Sequence, residues 1–264
     1  GALALLACTR PADAPRPPPA PTVTAQVREP RLAKAREKIA AIVQPILAEN
    51  EKQRAVGVVL IDADETATFG FGPRNASDAR PMDAETTFEV GSIAKSMVGV
   101  LLADAVGKRE VMLDDPLERY LPEGVELNAK LRPATLVHLA TVTTGFSVFP
   151  HNWIPLDPVA HRTRYTLKEF KDFLKTFEPA EAPGRAFKYS AIDTALLAMA
   201  LAERTHMAFP ALLQKRLFEP LEMKHSEYAN RWQSDENRLD GYDADGALRA
   251  PRIDDSPMGP CCAI

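Results

Sequence analysis

The stretch from Ser92 to about Val106 constrains the fold more than any other part of the chain. Val98, Val100, Leu101, Leu102, Ala103 and Ala105 leave it little polar face. A helix that is apolar nearly all round is stable only where other elements bury it. Gly107 follows as a helix stop. The chain must therefore wrap a central helix, and 264 residues are enough to do so around one sizeable core.

That helix opens on Gly91-Ser92-Ile93-Ala94-Lys95. A spacing of three puts the Ser92 hydroxyl and the Lys95 amine on one helix face. A hydroxyl is a poor nucleophile at neutral pH, and a neighbouring amine can take its proton. Burial favours the neutral amine that this requires, and the start of a helix favours a developing alkoxide. Tetrads of this kind also arise by chance. On the residues alone, the favoured reading of Ser92 is a helix N-cap with a solvated lysine one turn later.

Residues 31–50 read as an amphipathic helix through Leu32, Ile39, Ile42, Val43, Ile46 and Leu47, with Pro45 interrupting it. Ala55 to Ile61 and Thr66 to Gly72 read as strands joined by Asp62–Glu65 into a hairpin. Residues 115–180 are helical and loop-rich. Thr166, three residues before Glu169, predicts a capped helix start. Pro183-Gly184 marks a turn, and Tyr189-Ser190-Ala191 follows on a loop. A core-like helix is predicted from about Asp193 to Arg204, on Ala195, Leu196, Ala198, Met199 and Leu201. Asp245-Gly246 is a hairpin signal.

The ends of the chain carry other signals. Gly1 to Thr9 reads as the end of a signal-peptide apolar region. Within it, Leu5-Leu6-Ala7-Cys8 resembles a bacterial lipoprotein box, in which Cys8 is acylated. Pro11 to Pro30 is dense in Pro and Ala and reads as an extended spacer. The expected division is therefore a signal remnant and linker over 1–30 and one catalytic domain over 31–264. This places the protein in the periplasm or cell envelope, with membrane attachment through a lipid anchor. No apolar run is long enough to span a bilayer. A formal charge of −4 gives no support to a nucleic-acid partner. Cys261 and Cys262 are adjacent and read as buried free thiols, with a strained vicinal disulfide as the alternative. The five histidines, 138, 151, 161, 206 and 225, form no ligand cluster, so neither a metal nor a cofactor is implied.

Five segments, in order, resemble the serine β-lactamase, penicillin-binding protein and esterase superfamily in its class C branch. Gly91-Ser92-Ile93-Ala94-Lys95-Ser96 is similar to its nucleophile motif, and Leu113 to Pro122 is similar to its LDDPVxxYLP segment. Thr135 to Phe146 is similar to TLxxLLtHTSGL, Pro183 to Ser190 to the second catalytic motif, and Phe218 to Met223 to xxPLGM. The resemblance covers residues 84–146 and 165–229. It implies an α/β (α+β) fold of the β-lactamase/transpeptidase type: an antiparallel sheet flanked by helices, with an inserted, mostly helical domain. It also implies that Ser92 attacks an acyl carbonyl, that Lys95 and Tyr189 handle the proton, and that the Ser92 N–H is one oxyanion donor.

The chain departs from that pattern in two ways. The second motif usually reads Tyr-x-Asn, but here it is Tyr189-Ser190-Ala191. No Lys-Thr-Gly or His-x-Gly follows Tyr189, so the chain is read as truncated at its C-terminus, without the last strands and helix. Ala191 stands where the family's asparagine contacts a substrate amide, and a methyl makes no such bond. Tyr189-Ser190-Ala191 with Asp193-Thr194 also resembles the 6-aminohexanoate-oligomer hydrolases, which cleave linear amides and esters. The expectation is a serine hydrolase acting on a small ester or amide. A class C-type β-lactamase or DD-peptidase acting on β-lactams or peptides is the alternative, and a non-catalytic penicillin-binding sensor is the alternative of another class.

Overall fold

The computed structural model describes residues 32–49, 55–75, 78–153, 165–228, 237–242, 248–249 and 256–261. Cys8, the 1–30 linker, His161, the Asp245-Gly246 turn and Cys262 lie outside them.

A short 3-10 turn, Leu32–Ala35, leads into α1, Arg36–Glu49. The expected interruption at Pro45 does not occur, and the helix runs through it. An interior proline removes one backbone bond and crowds the preceding turn. Here, packing on the neighbouring strands holds α1 together across that gap. Ile39, Val43 and Leu47, four residues apart, lie against Phe69 and Phe71. Ile42 and Ile46 point the other way and are exposed, so the apolar positions of α1 divide between two faces.

The hairpin forms as expected from the two runs and the Asp62–Glu65 connection. β1, Val56–Asp62, pairs antiparallel with β2, Glu65–Phe71, with Asp62 opposite Glu65. A two-residue connection of this kind requires left-handed backbone. Ala63 supplies it at φ 52° without a glycine. A second pair, β3 (Gly241–Tyr242) with β4 (Leu248–Arg249), is also antiparallel. With the helices below, these small sheets make a mixed α/β fold.

The main core is helical. It gathers α2 (Ala94–Gly107), α3 (Leu136–Ala140), α4 (Leu167–Thr176), α5 (Ala191–Thr205) and α6 (Phe209–Leu213), the last running into a π-helical turn, Gln214–Phe218. The enclosed helix is α5 rather than α2. Every residue from Ala191 to Ala198 is buried, and α2, α3 and α6 all pack on it. In α2 the buried face is Ala94, Val98, Leu101, Leu102 and Ala105, while Val100 is 48 % exposed on the opposite side. Both helices carry apolar side chains in excess of one stripe. Neighbours on several sides, rather than composition, decide which helix is surrounded.

Two further features position the site. α4 starts with the predicted reciprocal cap: Glu169 N–H donates to the Thr166 hydroxyl at 3.3 Å, and Thr166 N–H donates to Glu169 Oε2 at 2.7 Å. Its buried Phe173 and the following Phe177 pack on Phe146, with ring centroids 6.0 and 5.3 Å away. These rings anchor the loop Thr143–Phe146 from below. α2 and α5 also run parallel. Near their C-terminal ends the Arg204 guanidinium donates to the Glu110 carbonyl at 2.6 Å, and their N-terminal ends meet at Ser92.

Candidate active site

Gly91, at φ 55°, turns the chain into the 3-10 turn Gly91–Ile93 that precedes α2. A side chain is disfavoured in that backbone conformation. Ser92 sits exposed on this turn, and Lys95 follows in the first turn of α2. Lys95 Nζ donates to Ser92 Oγ at 3.1 Å. From the start of α5 the Tyr189 hydroxyl donates to the same Oγ, also at 3.1 Å. Lys95 Nζ lies 5.5 Å from the centre of the Tyr189 ring, within range of the attraction between a cation and an aromatic face. Ser92 and Lys95, neighbours on one turn, and Tyr189, 97 positions on, thus meet at one oxygen.

The structure does not bring Ala191 to that oxygen's surface. It is the first residue of α5, is 2 % exposed, and donates its N–H to the Val148 carbonyl at 3.0 Å. The dry surroundings expected for Lys95 are also absent. Lys95 is half-buried, and Tyr189 is 45 % exposed. The first turn of α2 lies at the edge of the packed helices, so a phenol, a hydroxyl and a carbonyl surround the amine instead of hydrocarbon.

That carbonyl was not legible in the sequence. Lys95 Nζ donates to Cys261 O at 2.9 Å. Cys261 ends the 3-10 turn Gly259–Cys261, which lies against α2 and α5. Cys261 is buried and forms no disulfide among the described residues. A backbone acceptor leaves no side-chain signature to search for.

Tyr189 is held through its backbone. Gly184 N–H donates to Thr143 O at 2.8 Å, Lys188 N–H to Val142 O at 3.0 Å and Ala191 N–H to Val148 O. Segment 184–191 therefore lies along the loop 142–148. Gly184 takes φ 86°, and a Cβ there would come within 2.8 Å of His138 Nε2, so the Pro-Gly turn admits no side chain. Ser190 is the N-cap of α5, where its hydroxyl accepts from the Ile192 and Asp193 amides at 3.1 and 3.3 Å.

Asp193 is fully buried in the first turn of α5. Thr144 Oγ1 donates to its Oδ1 at 2.7 Å, while Oδ2 makes no hydrogen bond. Burial pushes the carboxyl up to about 7, against the opposing pull of the Thr144 and Ser190 hydroxyls. An unfolded chain ionises such a group near pH 4. Between the two values the folded state holds more proton than the unfolded one. Stability therefore falls as pH rises through that window, by roughly 4 kcal/mol at most. Asp193→Asn removes this dependence. Its melting temperature should gain on the parent's between about pH 5 and about pH 8. A difference that stays constant across thermal melts at those two values would mean that burial does not perturb this carboxyl.

A cleft of about 490 Å³ opens at the far ends of α2 and α5, among Arg109, Asp115, Arg119, Tyr120, Glu203 and Arg204. It stands roughly 20 Å from Ser92, the length of α2. Arg119 and the Tyr120 hydroxyl both bond Asp115 there. Among the described residues, no three His, Cys, Asp or Glu side chains form a group that could hold a metal ion.

Comparison with known proteins gives a consistent picture. The family model described as Beta-lactamase matches residues 36–260. A beta-lactamase of Escherichia coli (strain K12) is 30 % identical over 181 residues, which cover 68 % of this chain and 45 % of that protein. The D-alanyl-D-alanine-carboxypeptidase/endopeptidase AmpH of the same organism is 29 % identical over 181 residues, 66 % of this chain and 45 % of its own length. This chain thus spans less than half of either relative. Among solved structures, a class C beta-lactamase superposes with a TM-score of 0.75 at 22 % identity, covering 88 % of this chain and 60 % of that one. The D-alanine carboxypeptidase AmpC from Burkholderia cenocepacia superposes with a TM-score of 0.72 at 23 % identity over the same shares.

Proposed function

Because the chain belongs to the beta-lactamase family, we propose that it is a serine hydrolase that cleaves esters or amides through an acyl-enzyme on Ser92. The observation that carries this reading is the convergence of Lys95 Nζ and Tyr189 OH on Ser92 Oγ, each at 3.1 Å. Hydroxyl, amine and phenol at hydrogen-bond distance are what nucleophile activation requires.

In the reactive form the Lys95–Tyr189 pair holds one proton fewer than an ammonium beside a phenol, and Ser92 Oγ attacks the acyl carbon while its proton passes to that open position. The pair then protonates the departing alcohol or amine as its bond to the acyl carbon breaks. Water next attacks the acyl carbon, loses a proton to the same pair and releases the acid, and Ser92 Oγ recovers its proton. The Ser92 N–H and the N-terminal end of α2 supply partial positive charge for the oxygen that becomes negative. The Cys261 carbonyl orients the Lys95 amine toward Ser92. The lipoprotein-like Leu5-Leu6-Ala7-Cys8 supports a place at the cell envelope.

A β-lactamase or DD-peptidase is the second reading, and it is favoured by the names of the relatives. Ala191 weighs against it, because its side chain carries neither donor nor acceptor for a substrate amide. The deciding comparison is nitrocefin against p-nitrophenyl acetate. The ester should show the higher kcat/KM, by about tenfold or more. Faster hydrolysis of nitrocefin would reverse the preference. Stable labelling of Ser92 by either compound without turnover would point to a sensor.

A further inference from the structure

Asp193 is buried, ionisable and unused by the chemistry proposed above. It lies four residues after Tyr189, and its partner Thr144 is also fully buried. The Thr144 hydroxyl donates to Asp193 Oδ1 at 2.7 Å, and its oxygen accepts the Phe146 N–H at 3.3 Å. On either side of Thr144 the same loop is fastened to the Tyr189 segment by backbone bonds, Lys188 N–H to Val142 O and Ala191 N–H to Val148 O. The Asp193–Thr144 bond is therefore the side-chain link within a clasp whose other links are main chain.

We propose that Asp193 is a positioning residue for acyl transfer: through Thr144 it locks loop 142–148 against the start of α5 and so holds the Tyr189 hydroxyl on Ser92. The proposal rests on the reading of Ser92 as nucleophile. Tyr189 is 45 % exposed, so packing of its ring and the Lys95 contact hold it only in part, and the clasp fixes the backbone from which it projects. Helix capping does not explain the carboxyl, because Ser190 already accepts from the Ile192 and Asp193 amides. A buried carboxyl with one bare oxygen is unfavourable beside an apolar residue of similar size. Its presence is accounted for by what Oδ1 holds. Oδ1 accepts the Thr144 proton whether the group is charged or neutral, so the link persists across the neutral pH range.

The test uses the whole chain with p-nitrophenyl acetate. Asp193→Ala and Thr144→Val should each lower kcat by about tenfold to a hundredfold, with KM changed by less than about twofold. The double variant should be no worse than the poorer single one, since both changes break the same link. Asp193→Asn and Thr144→Ser keep an acceptor and a donor respectively, and should restore most of the rate. Thr144→Val preserves side-chain shape and serves if Asp193→Ala does not fold. An unchanged kcat in a folded Asp193→Ala or Thr144→Val variant, or additive losses in the double variant, would overturn the proposal. A parent chain that does not acylate at Ser92 would remove the hydrolase reading, and hydrogen exchange would then decide the clasp. Faster exchange of the Lys188 and Ala191 amides in the variants, with α4 still protected, supports it. Unchanged exchange there overturns it.

Discussion

Ser92→Ala should abolish acylation by p-nitrophenyl acetate, with a loss of about ten-thousandfold or more in kcat. Among the described residues Ser92 Oγ alone accepts from both Lys95 and Tyr189, so its loss removes the nucleophile. The fold should be indifferent to the change. Ser92 is exposed on its turn and its hydroxyl caps no helix end. Stability should stay within about 0.5 kcal/mol, with the freed amine and phenol donating to water. Release of p-nitrophenolate on rapid mixing, with intact mass of the trapped chain, measures both rate and site. An acyl adduct that persists at full rate in the variant would place the nucleophile elsewhere.

Tyr189→Phe should lower kcat by about a hundredfold to ten-thousandfold and leave KM and the melting temperature nearly unchanged. Only the hydroxyl is lost. The ring still lies beside the Lys95 ammonium, and the bonds that hold the segment belong to its backbone. The loss should appear in both half-reactions, since the same pair receives the Ser92 proton and later that of water. Single-turnover measurements separate the two steps. Turnover equal to the parent's would reduce Tyr189 to a structural tyrosine.

The reacting side chains were legible because each has a local signature. A spacing of three on a helix start puts Ser92 and Lys95 together, and a Pro-Gly turn before an apolar helix sets off Tyr189, but the roles proposed for them come from the family resemblance of those segments. The hairpin and the Thr166 cap were legible for the same reason, since turns and caps involve residues close in the chain. Three features were not. The Cys261 carbonyl is main chain and acts across 166 positions. The Asp193–Thr144 bond joins residues 49 apart, and although both fall in segments with a family resemblance, nothing local pairs one with the other. The choice of α5 over α2 as the enclosed helix depends on what surrounds each, and apolar composition alone is silent on that. The Ser190 cap also begins α5 at Ala191, two residues before the expected start, and this draws Ala191 into the core.

The tie between Lys95 and Cys261 has a temporal side. Contacts between distant positions close late, because the intervening chain must first give up its freedom. On the ribosome, Ser92 emerges long before the segment around Gly259 exists to dock beside it. On the reading proposed for Ser92, a nascent chain therefore carries its alcohol unarmed, and any capacity to react with an ester waits until most of the helical core has assembled.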